Sequence, residues 1–493
     1  EDASLLKSWK DTAASENLYV RIGRWNVPGR PVAVLVDFQP YFAMKNDIYT
    51  RLWEDYGVDS LHAYGDYDEA SMFSYAAGLV VESYYNHVLK GQCEHVVYQA
   101  HEWMTGLGAL YIQKHVPEVA TIFTTHATTI GRSIAGNHKP LYEYLFAYNG
   151  NQMAQELNVQ SKHSIERETA HHVDCFTTVS EVTNRECAEL LDKPADVVLM
   201  NGFEKDFVPS KALFARKRRE ARRKLREVAG ALLGTEFDDD VMIISTSGRY
   251  EFRNKGIDLY MEAMNRSLRN KDLTRKILAF VQVPGWVCCP REDLKERLDS
   301  GKACDTPLQW PLLTHWLHEM SHDQVIDYMK RYNMWNQPED KVKVIFVPCY
   351  LDGADGIFNM HYYDLLIGMD LTVYASYYEP WGYTPLESVA FHVPCVTTNL
   401  SGFGLWVNQL LGKEGELADG VQVVRRTDYN SSEVADAIKD AITAYSAFTP
   451  HEVENIRHKA ADISEHALWK HFIQYYYQAY DFALHKAKQR RGR

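Results

Sequence analysis

Several features are scarce or absent in this chain of 493 residues, and each absence excludes a class of protein. No apolar run reaches the length of a membrane-spanning helix, and no signal-peptide pattern is found. None of the eight cysteines forms a Cys-x-x-Cys pair, so we expect reduced thiols in the core of a cytoplasmic protein. The net charge of −13 argues against broad binding to nucleic-acid phosphates.

Short apolar runs alternate with helix-compatible stretches along the chain. Continuous runs rich in Val and Ile are typical of parallel sheets that helices cover on both faces. The predicted strands are Pro31–Asp37, His95–Ala100, Ala120–Thr125, Asp174–Val179, Asp196–Met200, Val241–Thr246, Ile277–Val283, Val342–Val347, Leu371–Ala375 and Cys395–Thr398. These strands fit two doubly wound domains better than one.

Two glutamates eight positions apart, Glu379 and Glu387, stand in the stretch SYYEPWGYTPLESVAF. A strand-like run precedes the first glutamate, and a helix-compatible run carries the second. Open α/β sheets bind ligands where a strand ends and a helix begins. The backbone N–H groups of Gly382, Tyr383 and Thr384 are predicted to point at an anion there. A pyrophosphate on these amides, with carboxylates on either side for hydroxyl groups, describes a nucleotide-sugar site.

Five further motifs stand along the chain in the order of a known family. They are HEWMTGLG from His101, TIFTTHATTIGR ending at Arg132, FTTVS from Phe176, NGF from Asn201 and GRYEFRNKG from Gly248. Together with the paired glutamates, they resemble the eukaryotic-type glycogen synthases over nearly the whole chain. The resemblance implies a glycosyltransferase that lengthens α-glucan chains from a nucleotide-glucose donor.

The same resemblance implies an α/β protein of two doubly wound, Rossmann-like domains (GT-B), with the active site in the cleft between them. We expect the first domain to span 1–205 and the second, which binds the nucleotide sugar, to span 206–466. The final helix, 467–493, is expected to pack back onto the first domain. A loop-rich stretch at about 284–340 is predicted as a helical insertion.

Arg249 and Lys255 follow a predicted strand in the motif GRYEFRNKG. Six positions apart on a loop, the two cations could converge on one phosphate group. Charge builds on the departing nucleoside diphosphate, and fixed cations stabilise that charge in the transition state. A solvated loop charge is the alternative, and we expect the adjacent Arg253 to be of that kind.

In the family, the residue matching Glu379 lies beside the donor sugar. It could act as a nucleophile or could support an oxocarbenium-like state and position hydroxyl groups, and we favour the second role. A carboxylate that serves the helix dipole is the alternative, and it fits Glu387 better than Glu379. The resemblance implies donor contacts from Glu387 (ribose hydroxyls), Tyr362 (stacked on uracil), Gly382, Tyr383 and Thr384.

His101 ends a predicted strand, although a lone histidine is more often structural. It matches the family residue that reaches the donor glucose from the first domain. His126 and Arg132 are implied to line the same cleft. For Arg132, a salt bridge at the domain interface is an equally weighted alternative.

The basic run Ala215–Glu227 is interrupted by glutamates in an acidic chain, so we interpret it as a solvated helix face rather than a nucleic-acid site. The triplet Cys288, Cys289 and Cys304 lacks tetrahedral ligand spacing. No Asp-x-Asp motif stands at the end of a predicted strand. We therefore expect neither a metal ion nor a cofactor.

One family feature is not found: a glycine-rich loop, Lys-x-Gly-Gly, which should stand upstream of Leu5. The chain contains no Gly-Gly dipeptide. We expect this loop to be missing from the sequence rather than lost in nature. If it were lost, catalysis would be in doubt, because its amides serve the donor phosphates.

These observations predict a retaining, metal-independent glucosyltransferase that uses UDP-glucose and an α-1,4-glucan. The alternatives are a non-catalytic protein that binds α-glucan or nucleotide sugar, and a sibling glycosyltransferase with another donor or acceptor. We also expect a homo-oligomer and, in a eukaryote, a glycogenin-like primer as a partner.

Overall fold

The computed structural model describes Ser4 and residues 6–492. Its contacts separate two compact units: unit 1 comprises Glu1–Met200 and Phe472–Arg493, and unit 2 comprises Asn201–His471. Both units combine helices with parallel sheets, so the predicted α/β class is confirmed. The position expected for the glycine-rich loop, upstream of Leu5, lies outside the described residues.

Unit 1 contains two sheets surrounded by helices. In chain order its elements are α1 (Lys7–Ser15), β1 (Val20–Arg24), β2 (Val32–Val36), α2 (Lys45–Tyr56), α3 (Tyr67–Tyr84), β3 (Val97–His101), α4 (Gly106–His115), β4 (Ala120–Thr125), α5 (Thr129–Gly136), α6 (Gly150–Glu156), α7 (Gln160–His172), β5 (Cys175–Thr178), α8 (Glu181–Leu190) and β6 (Val197–Val198). Strands β3, β4, β5 and β6 form a parallel sheet in that order. Every residue of β4 is buried, which explains the uninterrupted apolar character of this run.

The first predicted strand, Pro31–Asp37, is present as β2 but lies outside the parallel sheet. It pairs antiparallel with β1 to form a separate two-stranded sheet. Val32, Val34 and Leu35 remain largely exposed on it. An apolar run shows that a strand is favoured, but it does not reveal the direction of the partner strand.

Among the described residues, unit 2 contains a larger sheet, a two-stranded antiparallel sheet, nine α-helices and the first turn of a tenth helix that continues into unit 1. Its elements are α9 (Lys211–Leu233), β7 (Met242–Ser247), α10 (Ile257–Ser267), β8 (Ile277–Gln282), β9 (Val287–Pro290), α11 (Glu292–Ser300), β10 (His315–Leu317), α12 (Gln324–Arg331), β11 (Val342–Val347), α13 (Tyr362–Leu366), β12 (Leu371–Val373), α14 (Tyr383–Ala390), β13 (Cys395–Thr398), α15 (Gly402–Leu411), β14 (Val421–Val424), α16 (Ser431–Ser446), α17 (Pro450–His466) and α18 (Trp469–Arg491). The stretch predicted as a helical insertion holds two helices, α11 and α12, together with the antiparallel pair β9 and β10.

The last helix, α18, begins in unit 2 and continues into unit 1. Ala479, Ala483 and Ala487 form a stripe of small buried residues at intervals of four, and they pack against β4 and β5. Small side chains at this spacing let a helix approach a sheet closely. Arg490 adds a bidentate ion pair with Asp174 at 3.1 and 2.9 Å, which fixes the end of the helix in unit 1.

The basic helix α9 uses three of its arginines inside unit 2. Arg218 and Arg222 each donate to a carboxylate oxygen of the buried Asp370 at 2.8 Å. Arg226, one turn further on, pairs with Asp239. The prediction of a solvated basic face is therefore wrong for these three arginines, because Asp370 comes from a distant part of the chain and Asp239 from the segment after the helix.

In the part of the chain that the structure describes, no helix is both long enough and apolar enough to cross a membrane. The cysteines are unpaired, but only four of them are buried: Cys175, Cys187, Cys349 and Cys395. The expectation of core thiols is thus right for half of the set and wrong for the exposed Cys93, Cys288 and Cys289.

Candidate functional site

The sheet of unit 2 has its strands in the order β11-β8-β7-β12-β13-β14, and all neighbours are parallel. Numbered by position in the chain, this order is 3-2-1-4-5-6, in which the winding direction reverses between β7 and β12. Open α/β sheets bind ligands at the carboxyl ends of the strands beside such a reversal. The loop after β7 carries Arg249 and Lys255, and the loop after β12 carries Glu379.

Two backbone features hold these loops against each other. Gly256 has φ of +71°, and a Cβ added there would lie 2.1 Å from the carbonyl oxygen of Ala375, so a side chain is excluded. The carbonyl of Asn254 also accepts hydrogen bonds from the N–H groups of Tyr377 and Tyr378, at 2.9 and 3.1 Å. The motif glycine therefore brings Lys255 to the end of β12.

Lys255 and Glu379 form an ion pair at this junction. The Nζ–Oε2 distance is 2.6 Å, and both side chains are 13% exposed. Arg249 does not join them: its side chain is 64% exposed, and its Nε lies 3.3 Å from Oε1 of Glu251. The structure thus brings together one cation and one carboxylate of the predicted site and leaves the second cation exposed to solvent.

Helix α14 begins just after Glu379. Its N-cap residue, Gly382, has φ of +117°, and no described side chain caps the helix start. A Cβ at Gly382 would lie 2.9 Å from Oγ of Ser401, so the tight turn also needs glycine here. Tyr383, on the first turn, is 51% exposed, and Thr384 is half-buried. An anion can reach this helix start, which favours negative charge.

Glu387 lies on α14 one turn after Tyr383. Burial raises its pKa to about 7, and the hydroxyl of Tyr363 donates a hydrogen bond to its Oε1 at 3.1 Å. The neighbouring Tyr362 turns to the end of β7, where its hydroxyl lies 2.7 Å from Oγ of Ser247. The two tyrosines of α13 therefore connect the end of β7 to α14.

The prediction that Arg253 is a solvated surface residue is wrong. Its guanidinium group covers the ring of Tyr377 at 4.5 Å, and Arg426 lies 5.3 Å from the centre of the same ring. A cation over an aromatic face is attracted by the ring quadrupole. The motif GRYEFRNKG therefore contains a third cation that supports the loop carrying Glu379.

In unit 1, the predicted histidines lie at the carboxyl ends of neighbouring strands. His101 ends β3, His126 follows β4, and Nδ1 of the first lies 3.0 Å from Nε2 of the second. Desolvation lowers the pKa of both rings, that of His126 to about 4 with a further contribution from His101. The lowered pKa values favour neutral rings, in which one of the two facing nitrogens donates a hydrogen bond to the other. Arg132 lies exposed on α5.

The segment that carries His126 is held by three glutamates from three parts of unit 1. Glu102 accepts a hydrogen bond from the amide of His126 at 2.9 Å. Glu166, on α7, accepts one from the amide of Thr129 at 3.0 Å. Glu186, on α8, accepts one from the hydroxyl of Thr128 at 2.9 Å, and that hydroxyl oxygen caps α5 by accepting the amide of Gly131. The protein's own carboxylates therefore occupy the start of α5.

Burial raises the pKa of two of these glutamates. The pKa of Glu166 rises to about 8, because the group is fully buried and lies near Glu102. The pKa of Glu102 is also raised by burial, although the amides of His126 and Ala127 and the charge of Arg132 oppose the change. Sequence reasoning assigned neither residue a role. Only the position of Glu102 directly after His101 could have indicated one.

One group of three potential metal ligands lies in unit 2. The ligand atoms of His315, Cys349 and Asp355 lie within 4.8 Å of one another. His315 is already engaged, because its Nε2 lies 2.9 Å from the backbone oxygen of Asp355. The carboxylate of Asp355 accepts three backbone N–H groups from the turn that follows it. These contacts account for the cluster without an ion.

Comparisons with known proteins identify relatives of this chain. The family model described as glycogen synthase matches residues 2–289 and 292–491. The glycogen [starch] synthase of Neurospora crassa is 26% identical over 538 aligned residues, which cover 98% of this chain and 76% of the relative. The liver glycogen [starch] synthase of Rattus norvegicus is also 26% identical, covering 97% of this chain and 74% of the relative.

Two solved structures share the fold. The catalytic domain of starch synthase IV from Arabidopsis thaliana, bound to ADP and acarbose, superimposes with a TM-score of 0.50 at 14% identity, covering 85% of this chain and 78% of that one. The α,α-trehalose 6-phosphate synthase from Burkholderia multivorans gives a TM-score of 0.54 at 10% identity, covering 96% and 88%. At these identities the likeness concerns the fold alone, which is that of the GT-B glycosyltransferases.

Proposed function

The chain belongs to the glycogen synthase family, and we propose that it transfers glucose from UDP-glucose to the non-reducing end of an α-1,4-glucan, with retention of configuration. The observation that carries this proposal is the buried Lys255–Glu379 pair beside the uncapped start of α14. One cation, one carboxylate and a helix N-terminus meet at the sheet edge where α/β proteins bind nucleotides.

In the proposed reaction, the bond between the anomeric carbon and the diphosphate oxygen breaks, and the acceptor's 4-hydroxyl oxygen bonds to that carbon. The hydroxyl proton passes to the departing diphosphate, so uridine diphosphate leaves. Negative charge grows on the diphosphate as the bond breaks. Lys255, Arg249 and the first amides of α14 meet this charge, and groups already in position stabilise it without reorganising.

Glu379 has two conceivable roles, of which its ion pair favours one. A nucleophile needs free access to the anomeric carbon, whereas Glu379 is held by Lys255 at 2.6 Å. We therefore assign it electrostatic support of the oxocarbenium-like state and positioning of hydroxyl groups. The remaining assignments are Glu387 to the ribose hydroxyls, Tyr362 to the uracil ring, Gly382, Tyr383 and Thr384 to the diphosphate, and His101, His126 and Arg132 to the donor glucose.

The proposal is tested by incubating the protein with glycogen and either UDP-glucose or ADP-glucose, and measuring glucose incorporated and nucleoside diphosphate released. We expect equal amounts of both products, with faster transfer from UDP-glucose. β-Amylase, which removes maltose from α-1,4-linked chain ends, should release the added glucose. Binding of UDP-glucose without transfer would instead support the non-catalytic alternative, and label that resists β-amylase would support a sibling glycosyltransferase.

The expected partners and location belong to the same proposal. A glucan acceptor follows from the reaction, and we retain a homo-oligomer and a glycogenin-like primer as proposals that size measurement and co-purification can test. The unpaired cysteines are compatible with a reducing, cytoplasmic setting.

A further inference from the structure

Glu102 has a backbone conformation that is unusual for a residue with a side chain. Its φ is 68° and its ψ is 162°, a region that is essentially restricted to glycine. It directly follows His101, one of the two histidines that face each other at 3.0 Å. A non-glycine residue persists in such a conformation only where its surroundings enforce it, and such positions cluster at functional sites.

Backbone contacts on both sides enforce the conformation. The N–H of Glu102 donates to the carbonyl of Thr124 on the neighbouring strand at 2.8 Å. Its carbonyl accepts from the backbone N–H of Thr105 at 3.0 Å, and the carbonyl of His101 accepts from the hydroxyl of Thr105 at 2.6 Å. The peptide units around Glu102 are thus fixed at the end of β3.

The side chain of Glu102 links the two histidines. Its backbone continues from His101, while its Oε1 accepts the amide of His126 at 2.9 Å. One residue therefore connects the ends of β3 and β4 by a covalent bond on one side and a hydrogen bond on the other. A glycine would suit the backbone better but could not make the second connection.

We propose that Glu102 is a positioning residue, which holds His101 and His126 in the mutual placement needed to contact the donor glucose. This inference rests on the proposed function, because it requires a sugar at the histidine pair. A purely structural alternative exists, in which the carboxylate only caps the buried amide of His126. The two readings differ in what glycine at position 102 should do.

The test uses Glu102→Gly, Glu102→Ala and Glu102→Gln. Glycine removes the backbone strain and the carboxylate together, so this variant should keep its melting temperature close to that of the wild type. We nevertheless expect Glu102→Gly and Glu102→Ala to lower kcat by about tenfold or more, because misplaced contact groups are costly in catalysis. Glu102→Gln keeps an oxygen that accepts the His126 amide, and it should restore most of kcat.

Binding gives a readout that does not depend on turnover. The dissociation constants of UDP-glucose and UDP are measured by calorimetry for each variant. Loss of the sugar contact should weaken UDP-glucose binding by about fivefold or more in Glu102→Gly, while UDP binding stays the same. Glu186→Ala is the matched control, because it removes another buried glutamate, which holds the same segment through the hydroxyl of Thr128 and not through the amide of His126. It should lower the melting temperature and leave the ratio of the two constants unchanged.

Each outcome tests the positioning role of Glu102. Equal weakening of both ligands, no change in either, or the same ratio in Glu186→Ala as in Glu102→Gly would overturn the positioning role. A wild-type protein that fails to bind UDP-glucose would overturn the proposed function and this inference with it. A wild type that binds and transfers glucose, with Glu102 variants that behave like it, would overturn the inference alone.

Discussion

Helix α5 in unit 1 and helix α14 in unit 2 each follow a strand of a parallel sheet, but the first amide groups of the two helices differ in their partners. At α5, protein groups take the amides of His126, Thr129 and Gly131. At α14, the N-cap is a glycine without a side-chain cap, and a lysine–glutamate pair lies beside it. A helix N-terminus favours negative charge wherever it occurs.

This difference in amide partners indicates two uses of a helix that follows a strand. A helix start filled by the protein's own carboxylates is a fixed support, and here it supports a pair of neutral histidines. A helix start left open with a cation nearby is suited to a ligand that brings its own negative charge, such as a diphosphate. The use of each helix start is therefore decided by whether the protein's own side chains occupy its first amide groups.

The largest expected effect comes from removing the two cations that we assign to the leaving group. Lys255→Ala and Arg249→Ala should each lower kcat by roughly two to four powers of ten, if each contributes ~3–5 kcal/mol to stabilising the leaving group. Lys255→Ala should also lower the melting temperature, because it leaves the largely buried Glu379 without its partner. Arg249→Ala should not, because Arg249 is exposed. Steady-state kinetics and thermal unfolding check both statements.

Matched controls are available in unit 2. Lys343 is buried to a similar degree but lies near the amino-terminal end of β11, an outer strand of the sheet. Arg269 is about as exposed as Arg249 and also pairs with a glutamate. Alanine at either position should change kcat by less than about threefold. Near wild-type turnover in Lys255→Ala or Arg249→Ala would remove the assigned ligand from the start of α14.

A smaller effect is expected from Tyr363→Phe. The Tyr363 hydroxyl donates to the buried carboxylate of Glu387 and opposes the burial that raises its pKa to about 7. Without this bond the pKa should rise further, so the acid limb of the pH profile of kcat/KM should move to higher pH. The KM for UDP-glucose should rise about fivefold at pH 7. Tyr332→Phe, at an exposed tyrosine, is the control, and an unshifted acid limb would contradict the role of Glu387.

Much of the arrangement at the start of α14 could be predicted from the sequence, but little of the arrangement at the start of α5 could be. Glycines, cations and glutamates at α14 stand within short motifs, so their spacing indicated a phosphate site. The supports of α5 come from Glu102, Glu166 and Glu186, which are far apart in the chain and meet only through the fold. The strain at Glu102 is equally hidden, because residue type does not reveal a positive φ.

The arginines also show that a local sequence pattern does not reveal the distant partner of a side chain. The stripe Arg218, Arg222 and Arg226 has the spacing of a helix face, but only the fold supplies Asp370 as the partner. Arg253 and Arg249 stand four positions apart in one motif, yet one covers an aromatic ring and the other extends into solvent. Local pattern indicates which side chains share a face or a loop, whereas burial depends on contacts made by distant parts of the chain.

Glu166→Gln tests the protonation state of Glu166 at the start of α5 through the free energy of unfolding. The pKa of Glu166 is about 8 in the folded protein, against about 4.3 for an unfolded glutamate. The folded state therefore binds the extra proton, and this contribution to stability is complete below pH 4 and lost as the pH rises towards 8. Glutamine mimics the protonated group and does not titrate, so the stability of the variant relative to the wild type should increase from pH 5 to pH 8, by of order 1–3 kcal/mol.

The measurement is the urea midpoint at pH 5 and pH 8, with kcat/KM determined in parallel. The groups that face Glu166 are Glu102 after β3 and Cys187 on α8, and both are unchanged in the variant. Glu189→Gln, at an exposed position on α8, serves as the control and should show no dependence of this kind. A stability of Glu166→Gln relative to the wild type that does not increase from pH 5 to pH 8 would indicate an ionised carboxylate at the start of α5.

The smallest effect on kcat is expected from metal removal. This prediction concerns only the start of α14. A divalent cation aids phosphoryl departure where the protein leaves the charge uncompensated. At α14 the diphosphate would meet Lys255, Arg249 and uncapped amides, so two protein charges replace the ion. Incubation with EDTA, followed by assay with and without added Mg²⁺ or Mn²⁺, should leave kcat within about 20%. A loss that Mn²⁺ restores would mean that the helix start and its cations do not carry the leaving-group charge by themselves. The same experiment on Arg249→Ala sharpens the result, because a metal that substitutes for the missing guanidinium should then raise the residual rate.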